Sequence, residues 1–149
     1  MTKSLPPKSL VLYADDDTDD RELVKEAFDE FSSIVELVTF EEGSELLSYL
    51  QHLGPLQPKP CLIILDVNMH GLDGKQTLRR LRGTEEYNEV PIVLFTTSTL
   101  PSESAFARSY NAGFVTKPLY GAQVRFILDQ LIDHCTDELK EKIKKQRGY

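Results

Sequence analysis

The chain has little that could staple or anchor it. Two cysteines in 149 residues, Cys61 and Cys135, cannot make a disulfide framework or a four-thiolate zinc site, so a reducing cytoplasm is the expected compartment. No apolar run approaches the roughly 20 residues of a membrane span. The opening MTKSLPPKSL has no long apolar stretch after its lysines, so no signal peptide is expected. Positive charge is in deficit: 17 Lys and Arg against 24 Asp and Glu give a formal net charge of −7. Nucleic acid and anionic membrane surfaces do not attract a negative domain, so neither is expected as a direct partner. Internal repeats and low-complexity linkers are also missing. What is present is ordinary, 40% hydrophobic and 28% charged, which suits one soluble domain. At this length about two-thirds of the unfolded surface can be buried.

The hydrophobic residues alternate between two periods. SLVLYA (9–14) is a short apolar run, read as a buried strand and broken by Asp15 to Asp20. Over 21–31, Leu23, Val24, Ala27, Phe28 and Phe31 mark one helical face, with Asp19, Asp20 and Glu22 in its first turn. IVELVT (34–39) predicts strand two, and Leu46, Leu47, Leu50 and Leu53 a helix over 43–53. GPLQPKP (54–60) is a loop. CLIILDV (61–67) is apolar up to Asp66, as a strand buried on both faces should be. A short helix near 75–82, a strand over 91–97, a helix over 102–110 and a strand over 114–116 follow. A last helix is expected from about 121, with Val124, Ile127, Leu128 and Leu131 on one face. Five strands separated by helices predict a doubly wound α/β fold, a five-stranded parallel sheet with helices on both faces. In such sheets the working site lies at the carboxyl ends of the strands.

Those ends carry a consistent set of groups. Strand one closes on Asp15, Asp16 and Asp17, strand three on Asp66, strand four on Thr96, Thr97 and Ser98, and strand five on Lys117 and Pro118. Carboxylates gathered in a cleft repel one another. A hard divalent cation relieves this, and Mg2+ takes one or two carboxylates, waters and a phosphate. A lysine and a hydroxyl beside it make a place where phosphoryl charge is stabilised. The residues therefore suit metal-assisted phosphoryl transfer to an aspartate.

The set YADDD, LIILDVNMHGLDG, IVLFTTS and FVTKP, in that order, resembles the receiver domain of two-component response regulators, the CheY-like family. The resemblance covers residues 9–134, leaving 1–8 as an N-terminal tail and 135–149 as a C-terminal helical extension. It implies the flavodoxin-like strand order 2-1-3-4-5. It implies Asp66 as phosphoacceptor, Asp16 binding Mg2+ directly, Asp15 through water, and Asn68 through its backbone carbonyl. Thr96 would hydrogen-bond the phosphoryl group, Lys117 would pair with another of its oxygens, and Pro118 would shape the loop through a cis bond. Thr96 and Phe114 would form the switch, and Asn68 and Ser98 would tune the phosphoryl lifetime. The partners implied are a sensor histidine kinase or phosphotransfer protein, phytochrome-type or other, and a downstream protein target. A homodimer also stays open. Two features depart from the family pattern: His70 stands where proline is usual, and the turn Tyr110-Asn111-Ala112-Gly113 before strand five is abbreviated.

Rival readings come from other classes. Asp15, Asp17, Asp19 and Glu26 fall at positions 1, 3, 5 and 12 of a calcium loop over 15–26, yet Asp20 occupies the position that must be glycine. A small aspartate-nucleophile phosphatase would need threonine where Asp19 stands. A flavin binder needs a phosphate loop that an acidic segment opposes. His52, His70 and His134 show no metal spacing, and Cys61 and Cys135 read as small core or helix residues. The expectation is a receiver without an attached output module, acting by protein contact or by passing phosphate on. Leu139 and Ile143 extend the apolar face of Leu128, Leu131 and Cys135. That pattern fits either a frayed helix end or a lengthened last helix that packs on a partner or a second copy.

Overall fold

The computed structural model describes residues 7–54, 56–118 and 124–148. Five strands, β1 (Ser9–Ala14), β2 (Val35–Phe40), β3 (Leu62–Asp66), β4 (Ile92–Thr96) and β5 (Gly113–Thr116), form one sheet in the order β2-β1-β3-β4-β5, every pair parallel. The order is the one the family resemblance implied. The central strands β1, β3 and β4 are buried along their whole length, which explains their near-continuous apolar sequence.

Among the described residues six α-helices cover the sheet: α1 (Thr18–Phe28), α2 (Gly43–His52), α3 (Gly74–Arg82), α4 (Pro101–Ser109), α5 (Val124–Ile132) and α6 (Asp137–Arg147). Alternation along β1 divides the core. Val11 and Tyr13 face a cluster built with Val24, Phe31, Leu128 and Leu131 of the α1–α5 side. Leu10, Leu12 and Ala14 face one built with Leu46, Leu78 and Ala107 of the α2–α3–α4 side. Burying each Val, Leu or Phe among them contributes roughly 1.5–3 kcal/mol.

Helix starts follow local chemistry. The carboxylate of Asp17 accepts the Asp20 N–H and so caps α1. Asp73 and Gln76 form a reciprocal capping box at α3. The apolar face expected over 21–31 is present, but the helix opens at Thr18 and its last turn, Asp29–Phe31, tightens to a 3-10 turn. The expected start of the last helix near 121 lies outside the described residues.

The lengthened last helix does not form. The chain turns after Ile132, Thr136 caps a new helix by accepting from the Leu139 N–H, and Thr136 donates its own N–H to the Cys61 carbonyl at 3.1 Å. The redirection carries Leu139 and Ile143 of α6 into the α1–α5 core beside Phe31, Val35 and Cys135. Nor is α6 frayed: Leu139 is fully buried, and Arg147 pairs with Glu30 and Asp129. No helix among the described residues is long and apolar enough to cross a membrane.

Candidate functional site

Parallel pairing presents all carboxyl ends at one edge. Register sets Ala14 opposite Leu65, Asp66 opposite Phe95 and Thr96 opposite Thr116, so β1, β3, β4 and β5 deliver Asp15, Asp66, Thr96 and Lys117 together. The loop after β3 folds tightly back. Gly71 turns it with φ 65°. Gly74, first residue of α3, donates its N–H to the Val67 carbonyl at 3.2 Å. A Cβ on Gly74 would stand 2.1 Å from the carbonyl oxygen of Asp66, so only glycine lets α3 begin against the strand end that carries this carboxylate.

Asp15 lies wholly inside the protein. It accepts from the Tyr13 hydroxyl at 2.5 Å, the Asp17 N–H at 2.9 Å and Lys117 Nζ at 2.7 Å. Lys117, 6% exposed, also donates to Asp20 Oδ2 at 2.8 Å and stands 3.5 Å from Asp66 Oδ1. Asp66 accepts the Asn68 N–H at 3.4 Å. Asp16 is half-buried, with Oδ2 3.4 Å from His70 Nε2. Asp15, Asp16 and Asp66 each offer a carboxylate oxygen, and these oxygens lie within 4.8 Å of one another.

Burial raises the Asp66 carboxyl to about 7, helped by the charge of Asp15 and opposed by Lys117 and the Asn68 N–H. Burial alone would lower Lys117. Its hydrogen bonds to Asp15 and Asp20, with the charges of Asp15 and Asp66, hold it above the ordinary lysine value instead. The Tyr13 phenol is also pushed up, by burial and then by Asp15. Several carboxylates thus surround one ammonium, and burial with the Asp15 charge outweighs what Lys117 gives back to Asp66. An all-oxygen donor set of this kind fits a hard divalent cation.

Thr96 is fully buried; its hydroxyl oxygen accepts the Ser98 N–H at 3.1 Å, and its carbonyl accepts the Lys117 N–H at 2.6 Å. Ser98 Oγ accepts the Leu100 N–H at 3.2 Å, just before α4. Phe114 is half-buried on β5, opposite Leu94, and packs against the α2–α3–α4 core rather than among the carboxylates.

Two expectations are corrected. The Lys117–Pro118 bond is trans, since no cis peptide occurs among the described residues. Trans is the intrinsically preferred isomer of an X–Pro bond, and the Lys117 N–H keeps its bond to β4 in that form. The calcium loop over 15–26 does not exist, because Thr18–Phe28 is helix and Glu26 lies exposed on it. Tyr13, Asp20 and Arg21 also shape the site. Tyr13 hid inside an apolar run, and its signal was its place two positions before Asp15 on one strand face. Asp20 read only as a helix-start acid, and Arg21 Nη1 donates to the Asp15 carbonyl at 2.6 Å.

Residues 11–129 match the response regulator receiver domain family. The response regulator Rcp1 of Synechocystis sp. is 33% identical over 98 residues, covering 64% of this chain and 66% of that protein, just under two thirds of its length. The Mn(2+)-bound form of Rcp1 superposes with a TM-score of 0.73 at 25% identity, covering 85% of this chain and 92% of the other. The chemotaxis response regulator CheY4 of Vibrio cholerae gives 0.71 at 26% identity, covering 85% and 98%. A sheet in the order 2-1-3-4-5, acidic groups at its carboxyl edge and a match over most of the length lead to one conclusion: this chain belongs to the response regulator receiver domain family of two-component systems.

Proposed function

We propose that the chain is a phosphoacceptor in a two-component phosphorelay, with Asp66 taking a phosphoryl group from a phosphohistidine on a sensor histidine kinase or phosphotransfer protein. The observation that carries this reading is the meeting of Asp15, Asp16 and Asp66 within 4.8 Å, with Lys117 3.5 Å from Asp66. An Asp66 carboxylate oxygen attacks phosphorus in line. The phosphorus–nitrogen bond breaks, and the donor imidazole keeps the electron pair and takes up a proton. Lys117 offsets charge on one phosphoryl oxygen, and the Thr96 hydroxyl donates to another. Asp16, Asp66 and the Asn68 carbonyl would hold Mg2+, with Asp15 acting through water. Mg2+ would supply neutralisation of the phosphoryl oxygens.

The acyl phosphate draws Thr96 toward it, and Phe114 turns into the space released, so that the surface from α4 to α5 reports the state to a downstream protein. Asn68 and Ser98 flank the phosphoryl position and tune its hydrolysis. The protein's place is the cytoplasm, where such kinases present their phosphohistidines.

The test is labelling with acetyl phosphate and mass mapping of the modified residue. One Mg2+-dependent phosphoryl group is expected on Asp66, none in Asp66→Asn, and no Mg2+ dependence in Asp16→Asn. Full labelling of Asp66→Asn rejects the assignment.

A further inference from the structure

Asp20 contributes a fourth carboxylate that the three-aspartate cluster does not contain. Its Oδ2 accepts from Lys117 Nζ at 2.8 Å, and Asp15 Oδ2 accepts from the same nitrogen at 2.7 Å. Asp66 Oδ1 is left at 3.5 Å, an ion-pair separation without a short hydrogen bond. The position of Asp20 is built in: its N–H is bound to the capping carboxylate of Asp17 at 3.0 Å, which fixes the first turn of α1.

Lysine and a divalent cation compete for the same carboxylate oxygens. Lys117 is 6% exposed, and its ammonium lies 2.7 Å from Asp15, 2.8 Å from Asp20 and 3.5 Å from Asp66, so it is placed to occupy the oxygens a cation would need. Resting on the phosphoacceptor reading above, we propose that Asp20 is a positioning residue for the magnesium site, holding the Lys117 ammonium off Asp66 so that the Asp66 oxygens stay available to the cation.

Lys117 has three N–H donors. With Asp20 in place, two of them are used on Asp15 and Asp20. Without it, the carboxylates left within 4.0 Å of Nζ are Asp15 and Asp66, and a buried N–H that has lost its acceptor is costly to leave unpaired. The ammonium then moves onto Asp66. Loss of a nearby negative charge also weakens attraction for any cation. Both effects lower magnesium affinity.

The experiment is calorimetric titration of MgCl2 into the full chain. Asp20→Ala should weaken binding about fivefold or more. Asp19→Ala, which removes the same charge from an exposed neighbour, should change it by less than about twofold. Asp20→Glu should recover most of the affinity. In a Lys117→Gln background the competitor is gone, so adding Asp20→Ala should cost only what the lost charge costs, a clearly smaller loss than in the wild-type background. Equal losses in both backgrounds, or equal losses for Asp19→Ala and Asp20→Ala, would make Asp20 a bare charge and overturn the proposal. So would wild-type affinity in Asp20→Ala. Asp20→Asn, which keeps the shape of the side chain, serves if the alanine variant does not fold. A wild-type chain that takes up no Mg2+ overturns the phosphoacceptor reading instead, so the two failures are distinct.

Discussion

The hydroxyl of Tyr13 donates to Asp15 at 2.5 Å with both side chains fully buried. Residues two apart on a strand share a face, so β1 itself aims the phenol at the carboxylate. Tyr13→Phe keeps the ring and its edge-on contact with Phe95, centroids 6.3 Å apart, but leaves a buried carboxylate one donor short. Hydrogen bonds to charged groups contribute about 1.5–3 kcal/mol, and a loss of that size is expected in urea unfolding without metal. An unchanged unfolding midpoint would show that Lys117 and the Asp17 N–H satisfy Asp15 by themselves.

Asp66 makes metal-free stability depend on pH. Its carboxyl titrates at about 7 in the fold against an ordinary 3.8. A raised value means that the folded state favours the protonated form. The contribution is fully present below the unfolded value and is lost as pH rises through about 7. Asp66→Asn removes that loss. Without metal it should melt above wild type at pH 8, and the gap should close toward pH 4. Mg2+ favours the ionised form and should restore wild-type stability at pH 8 while leaving the variant little changed. A variant that melts below wild type at pH 8 without metal counts against the raised Asp66 value.

Most of the sheet and the main site groups were legible because each central strand is an apolar run that stops on a polar residue. Leu62–Leu65 before Asp66 is the clearest case. What could not be read is what depends on chain direction in space. Leu139 and Ile143 continue the period of Leu128 and Leu131, so periodicity favours one long helix. Thr136 followed by Asp137 and Glu138 carried the opposing signal, a cap with an acidic first turn. Asp20 was hidden for a similar reason: an acid in a first helical turn already has a local explanation, and its bond to Lys117 spans most of the sequence.

Gly74 sets how closely α3 approaches Asp66. Gly74→Ala would place a Cβ 2.1 Å from the Asp66 carbonyl oxygen and 2.8 Å from its carbon. Both are backbone atoms and cannot rotate away, so the end of β3 or the start of α3 must shift. A displacement near 1 Å at a reacting group costs about 100-fold in rate. Labelling of Gly74→Ala by acetyl phosphate should slow by about that order, whereas Gly83→Ala, whose nearest contact would be 3.4 Å, should label normally. Equal rates for the two variants would show that the loop absorbs the added carbon without moving Asp66.

The sixth helix behaves as part of the core. Leu139 is fully buried and Ile143 3% exposed, packed with Phe31, Val35 and Cys135. Burial pushes the Cys135 thiol up to about 12, consistent with an apolar setting. At the other end of α6, Arg147 donates to Asp129 at 2.8 Å, pairs with Glu30 at 3.2 Å and lies over the Phe31 ring, 5.1 Å from its centroid. The Arg147 side chain is 12% exposed but its partners Glu30 and Asp129 are about half exposed, so solvent screens this pair of bridges and limits what they contribute. The apolar contacts dominate. Leu139→Ala should therefore destabilise by about 2–5 kcal/mol, and Arg147→Ala, which loses screened bridges and the stacking of its stem on Phe31, by a smaller amount. Thermal or urea unfolding of the full chain measures both. A helix that merely leaned on the surface would give the reverse ranking, or two losses too small to separate, since an exposed leucine has no cavity to leave behind.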